Sequence, residues 1–234
     1  MNSIIESRVN INEKSINVFN RGSQDIGILE QTFTHKQFLF PPRHEGLFKR
    51  YSEIVQTGKT PLIIDAGANI GTATIWFAET FANSHIVSIE PDISNFQILK
   101  SNCVGYNVDL RNGGISNKTG RGSIIDPGRG PLGLMTKDGD DFEYWTGEKI
   151  LLEKVSLGME PFIFKCDIEG GESKLFSENI DWIDYFDLLI IEPHDWMLPG
   201  SASSQNVLKA ISKFPRDFYF WGECIFSYKN ATTL

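Results

Sequence analysis

Five titratable side chains crowd into two short stretches of this chain. Asp167 and Glu169 end the run PFIFKCDIEG, Glu172 follows three residues later, and Glu192 and His194 end the run DLLIIEPH. If both runs are buried parallel strands, their carboxyl ends lie on one edge of a sheet, and all five groups converge there. Alternation places Asp167 with Glu169 on one face and Glu192 with His194 on one face. Such a set suits proton transfer. An imidazole with an ordinary pKa near ~6.5 can take a proton at neutral pH, so His194 is the candidate base and Asp167, Glu169 and Glu192 its carboxylate partners. Asp167, Glu192 and His194 also combine hard oxygens with an imidazole. They could hold a divalent ion that acidifies a hydroxyl, although the spacing does not require one. Glu172 has a simpler alternative, interaction with the N-terminus of its own helix.

A second constellation lies upstream. Asp65-Ala66-Gly67-Ala68-Asn69-Ile70-Gly71 leaves the apolar run LIID and opens the helical run GTATIWFAETF. The small residues Gly67 and Gly71 let a ligand approach the backbone, as nucleotide-binding loops require. The glycines are four apart, so this is not the dinucleotide fingerprint G-x-G-x-x-G. An acid where a diphosphate would be received favours a ligand that carries an ammonium beside a carboxylate. Nineteen residues after Gly71, Glu90 ends the run HIVSIE, where a carboxylate can accept hydrogen bonds from both ribose hydroxyls. Loop and acid together describe an adenosine-type cofactor without a diphosphate, and S-adenosylmethionine fits.

Four runs in this order and spacing, IIDAGANIGTATIWFA, SIEPD, KCDIEGGE and IIEPHDW, resemble the FkbM-type family of class I S-adenosylmethionine-dependent methyltransferases. The resemblance covers roughly Pro61 to Trp196. The first two runs are common to many class I methyltransferases, whereas Lys165 to Glu172 matches the more particular K-x-D-x-E-G-x-E pattern. The resemblance implies that Asp65, Gly67, Asn69 and Gly71, with Thr72 beside them, hold the methionyl part. Glu90 and Pro91 would lie at the ribose, and Asn112, Gly114 and Ile115 near the adenine, with Asp167 on the cofactor side. It further implies O-methylation of a saccharide or natural product, with S-adenosylhomocysteine as the other product.

The elements that must position these groups follow an alternating strand–helix grammar from Pro61 onward. Strands are expected at Leu62 to Asp65, His85 to Pro91, Val108 to Ile115, Pro161 to Gly170 and Asp187 to Pro193, with an aromatic pair from Asp217 to Tyr228. Helices are expected after the first and second strands, over ESKLFSENIDWIDYF and near Asn206 to Phe214. The implied architecture is α/β, a doubly wound, mostly parallel, seven-stranded Rossmann-like sheet. Residues 1–60 form a cap of one or two strands and a lead-in helix after Pro41-Pro42, within the same unit as the 61–234 domain. In the cap, Val9, Ile11, Ile16, Val18, Phe19, Ile26, Ile28 and Leu29 alternate weakly. The segment 126–149 is poor in periodicity and rich in Gly and Pro, as lids and binding loops are. Tyr144 and Trp145 would stack on an acceptor there, with Arg129 or Lys137 meeting an acidic substituent; a solvated hairpin is the alternative.

Lys plus Arg number 22 against 30 Asp plus Glu, a formal charge of −8, the wrong sign for a nucleic-acid or anionic-membrane partner. Cys103, Cys166 and Cys224 are odd in number and far apart, which suits interior hydrophobes and not disulfides or zinc. No leader or spanning segment is evident, so a cytoplasmic protein with a small-molecule acceptor is expected. His35, His44 and His85 lack acidic or cysteine partners nearby in sequence. The aromatics Phe218, Phe220, Trp221, Phe226 and Tyr228 either complete the core or form a contact between copies, which leaves a homo-oligomer open. A nucleic-acid methyltransferase and an idle adenosine-binding module remain the alternatives.

Overall fold

The computed structural model describes residues 3–40, 45–126, 128 and 133–230. Pro41, Pro42, His44 and Arg129 lie outside these residues. The first element is a hairpin of β1 (Ile5–Ile11) and β2 (Lys14–Asn20), paired antiparallel. A short helix α1 (Ile26–Leu29) follows and runs on into a wider helical turn, Glu30–Thr34. Ile26, Ile28 and Leu29 are therefore helical, not strand residues, because Leu29, Thr32 and Phe33 face the interior at helical spacing. Helix α2 (Glu45–Gln56) leads into the sheet.

The sheet is built from β3 (Thr60–Ala66), β4 (His85–Glu90), β5 (Val108–Ile115), β6 (Gly120–Ile125), β7 (Met135–Asp138), β8 (Phe142–Trp145), β9 (Met159–Cys166), β10 (Leu188–Ile191), β11 (Arg216–Trp221) and β12 (Cys224–Lys229). Their order is β11-β12-β10-β9-β3-β4-β5-β8-β6-β7. The pairs from β10 through β9, β3 and β4 to β5 are parallel, and β12 is antiparallel to β10 and β11. These seven strands are the expected doubly wound sheet. Three further strands extend it beyond β5, where β8 is parallel to β5 and antiparallel to β6. MTKD and FEYW are too short for alternation to show, so the segment 126–149 reads as a loop although it contributes two short strands. Tertiary packing makes these strands: the Tyr144 ring lies so close over Gly114 that an added β-carbon would be 2.6 Å from it.

Central strands read as continuous apolar runs because both faces are covered. On one face Ile63, Ile86, Phe162 and Ile190 share a core with helix α3 (Thr72–Thr80), α2 and the hairpin residues Ile11 and Val18. On the other, Ile64, Val87, Phe164 and Ile191 share a core with α5 (Gly147–Ser156) and α7 (Gln205–Ile211). Helix α4 (Ile93–Asn102) crosses from β4 to β5, its N-cap Asp92 accepting from the Asn95 N–H at 2.8 Å. ESKLFSENIDWIDYF is not one helix. It is a single turn, α6 (Glu172–Leu175), and a 3-10 turn, Asp181–Tyr185, separated where Asn179 takes φ +53°. No helix among the described residues is long and apolar enough to cross a membrane.

From β3 the chain proceeds outward through β4 and β5, then returns to β9 on the other side of β3. The carboxyl ends of β3 and β9 therefore flank the point where strand order reverses, the crevice in which doubly wound sheets receive ligands.

Candidate functional site

The loop after β3 turns back sharply over the neighbouring strand ends. Gly67 has φ +78°, and a β-carbon there would lie 1.6 Å from the carbonyl oxygen of Asp167, so only glycine fits. The N–H groups of Gly67 and Ala68 both donate to the Ile89 carbonyl at 3.0 Å. Asn69, at φ +51°, donates its N–H to Glu90 Oε2 at 2.8 Å, and the Asp92 N–H donates to Glu90 Oε1 at 2.8 Å. Burial pushes the Glu90 carboxyl up to about 7 against the pull of these two N–H donors.

A narrow cleft opens at this point. Of the residues expected there, Gly67, Asn69, Glu90, Pro91, Gly114, Ile115 and Asp167 line it. Gly113 lines the cleft beside Gly114, and sequence reasoning missed Asp92 and Asn95 at the start of α4. It also missed Ile124, Leu134 and Thr136, which reach the cleft only because the β6–β7 extension folds over it. Asp92 and Asn95 were detectable as polar groups just after Glu90-Pro91. The other three had no local signal.

Four expected cofactor residues stand behind the cleft and serve its walls. Asp65 is fully buried; it accepts from Thr74 Oγ1 at 2.6 Å and pairs with Lys165 Nζ at 3.1 Å. Thr72 is buried against Thr32, hydroxyl to hydroxyl at 3.0 Å. Gly71, at φ +92°, opens α3 against Leu99. Asn112 donates to the carbonyls of Glu90 and Pro91 at 2.9 and 3.2 Å, fixing the backbone from behind. An acid that ends a buried strand looks the same in sequence whether it faces a ligand or a lysine. Here Lys165 also donates to the Gly67 carbonyl at 2.8 Å, so the buried pair holds the loop. Burial alone would lower the Lys165 ammonium, but the charges of Asp65 and Asp167 outweigh it and keep it protonated.

Asn69, Asp167 and Glu169 also line a second, wider bay. Its outer wall comes from the cap, through Gln31, His35 and Gln37, and from Glu192, Trp196 and Trp221. The two cavities thus meet at Asp167 and Glu169. Glu169 sits at φ +53°, a strained conformation for a residue with a side chain, of the kind that functional loops retain. Tyr144 and Trp145 do not enter the bay. Tyr144 is buried against Gly114 with Lys174 Nζ over its ring, and Trp145 lies under Arg111, so neither is placed to stack on an acceptor. His85 is remote, paired with Asn107. All three cysteines are free and buried.

His194 lies at the back of the junction, 1% exposed. Its Nδ1 is 3.0 Å from Glu172 Oε1, and its Nε2 faces Asp167 Oδ1 at 3.5 Å, Glu169 Oε2 at 3.5 Å and Glu192 Oε1 at 3.8 Å. Burial opposes a charge on the ring, but the hydrogen bond and charge of Glu172, then Asp167 and Glu169, raise its pKa to about 9. At neutral pH the imidazole is therefore not the free base expected from an unperturbed histidine. Burial and the neighbouring Asp167 push the Glu169 and Glu192 carboxyls upward. Glu172 is not a simple helix-end acid: the same oxygen accepts the Ile168 N–H at 2.9 Å, tying the loop to the histidine.

No family model matches the chain, and no curated protein matches it. Among solved structures, it is similar to the methyltransferase FkbM from Methylobacillus flagellatus KT, at 17% identity and a TM-score of 0.48, over 72% of this chain and 44% of that one. It therefore spans less than half the length of that protein. It is also similar to a putative O-methyltransferase from Klebsiella pneumoniae, at 16% identity and a TM-score of 0.44, over 89% of this chain and 90% of that one. A putative caffeoyl-CoA O-methyltransferase from Staphylococcus aureus is similar at 13% identity and a TM-score of 0.39, over 89% and 93% of the two chains.

Proposed function

We propose that this protein is an S-adenosylmethionine-dependent methyltransferase that methylates a hydroxyl of a saccharide or natural-product acceptor. The observation that carries this reading is the meeting of two cavities at Asp167 and Glu169. One is a narrow cleft under the glycine loop with a carboxylate at the second strand end. The other is a wide bay open to solvent. The cleft suits an adenosine cofactor with a positive centre. Glu90 offers oxygens to ribose hydroxyls, Gly67 gives close access to backbone, Ile115 and Ile124 offer apolar surface to a base, and Asp92 and Asp167 match cationic groups.

When bound, the cofactor supplies a methyl group on a sulfonium, already a good leaving group. The protein's task is then alignment and removal of one proton. Glu169, which lines both cavities, would take the hydroxyl proton, and Asp167, which also lines both, would orient the hydroxyl. The acceptor oxygen gains the carbon, and the electron pair of the broken carbon–sulfur bond stays on sulfur. Trp196 and Trp221 in the bay provide faces of the kind on which sugar rings stack.

The test is transfer of tritiated methyl from S-adenosylmethionine to extracted glycans and secondary metabolites. Label entering an alkali-stable ether, and lost in Glu169→Gln, is the expected result. Cofactor binding without transfer to any acceptor would leave an idle binding module in its place.

A further inference from the structure

The ring of His194 is almost fully buried; its Nδ1 is bonded to Glu172, and among the described residues its Nε2 has only carboxylate oxygens at 3.5 Å or more around it. Nε2 faces Asp167 Oδ1, Glu169 Oε2 and Glu192 Oε1, 3.5 to 3.8 Å away, while Nδ1 is held by Glu172. These gaps exceed an N–H···O bond, which spans roughly 2.7–3.2 Å. They match the spacing of two ligands on one ion: donors about 2.1–2.2 Å from a metal lie roughly 3.0–3.8 Å apart at ordinary coordination angles. One imidazole nitrogen and two carboxylate oxygens, from Asp167, Glu192 and His194, fall within 4.8 Å of one another.

A second observation points the same way. Asp167 Oδ1 is shielded from solvent, although the side chain as a whole is 26% exposed, and it has no hydrogen-bond partner among the described residues. The nearby Lys165 ammonium faces the other oxygen, Oδ2, at 3.7 Å, and does not occupy the space between Oδ1 and the imidazole. Glu172, 1% exposed, fixes the ring through its far nitrogen, the arrangement by which carboxylates orient metal-bound histidines.

We propose that Asp167 Oδ1, Glu192 Oε1 and His194 Nε2 hold a divalent cation of the manganese type, with Glu172 as the positioning residue behind the histidine. One imidazole with two carboxylates suits a first-row ion better than calcium, which takes six to eight oxygens. Three protein ligands leave coordination positions open. Asp167 and Glu192 both line the bay, so those positions face it. An ion there would draw an acceptor hydroxyl next to Glu169 and ease loss of its proton. That role rests on the methyltransferase reading; the ion site itself does not.

The experiment is a titration of the chelator-treated full chain with Mn²⁺, read by the spin-resonance signal of free ion, without cofactor or acceptor. One ion per chain is expected, with affinity at least about tenfold weaker in Glu192→Gln and in His194→Gln. The exposed-acid variant Asp140→Asn should bind as the parent does. Spin-echo spectra of the unmodified protein should show one directly coordinated imidazole nitrogen, a readout that does not depend on any variant folding. No saturable site, no nitrogen coupling, or binding untouched by both substitutions in folded protein would overturn the proposal. Calorimetry with S-adenosylhomocysteine on the same sample separates the two claims. Thioether binding without the ion overturns only the ion site, and ion binding without the thioether overturns only the cofactor reading.

Discussion

Gly67 and Asp167 meet backbone to backbone, with no room between them for a single carbon: a β-carbon on Gly67 would lie 1.6 Å from the Asp167 carbonyl oxygen. The contact joins the loop after β3 to the loop after β9, and so joins the cofactor cleft to the acidic junction. Gly67→Ala must push these loops apart and also force φ +78° on a residue with a side chain, a conformation that alone costs about 1–3 kcal/mol. The expected outcome is a lowered melting temperature together with loss of S-adenosylhomocysteine affinity. An unchanged melt and unchanged affinity would show that the two loops are not in contact.

Asp65 tests the difference between a ligand contact and a buried support. Asp65→Ala takes the nearest carboxylate from the Lys165 ammonium, 4% exposed, and leaves it the Gly67 carbonyl and Asp167 at 3.7 Å; removal of one partner of a buried pair costs up to about 3–5 kcal/mol. Denaturant unfolding should show this loss. A direct ligand contact would instead leave stability intact and weaken only cofactor binding.

Glu90 gives the cleft a pH dependence whose sign is fixed by its raised pKa. A carboxyl at about 7 in the folded chain and 4.5 when unfolded favours folding below pH 4.5, and that contribution is lost as pH rises through 7. Ribose recognition runs the other way, because it uses the carboxylate. Affinity for S-adenosylhomocysteine should therefore fall as pH drops below about 7 and level off above it. In Glu90→Gln the affinity should be lower and flat with pH.

The two cavities should respond separately to substitution. Trp221→Ala removes an aromatic face from the bay and leaves the cleft intact, so thioether affinity should hold within about twofold while acceptor KM rises roughly five- to tenfold, the loss of ~1 kcal/mol of stacking. Glu169→Gln should instead lower kcat about 10²-fold or more, with little change in acceptor KM. Equal effects of both variants on cofactor affinity would mean that the cavities are one.

The sequence carried the frame of this site and several of its members. Buried parallel strands announce themselves as apolar runs, and topology puts the residues just beyond their carboxyl ends on a single edge. For that reason Gly67, Asn69, Glu90, Asp167, Glu169, Glu192 and His194 could all be placed at one sheet edge from the sequence alone. Which way a strand-end acid points was not legible, because Asp65 is turned inward by Lys165, a hundred residues downstream. The protonation of His194 was equally hidden, since it depends on Glu172, Asp167 and Glu169, more than twenty residues upstream. Strands β6 to β8 left no periodic trace: their stability comes from Phe142, Tyr144 and Trp145 covering glycines of neighbouring strands, a pairing that no local window contains.

The central claim is that the cleft between β3, β4 and β9 receives S-adenosylmethionine. Calorimetric titration at pH 8 with S-adenosylhomocysteine, and in parallel with NAD, tests it most directly. Saturable binding of one thioether per chain, abolished in Gly67→Ala and absent for NAD, is the predicted result. Binding of NAD in place of the thioether, or of neither by the folded protein, would contradict it.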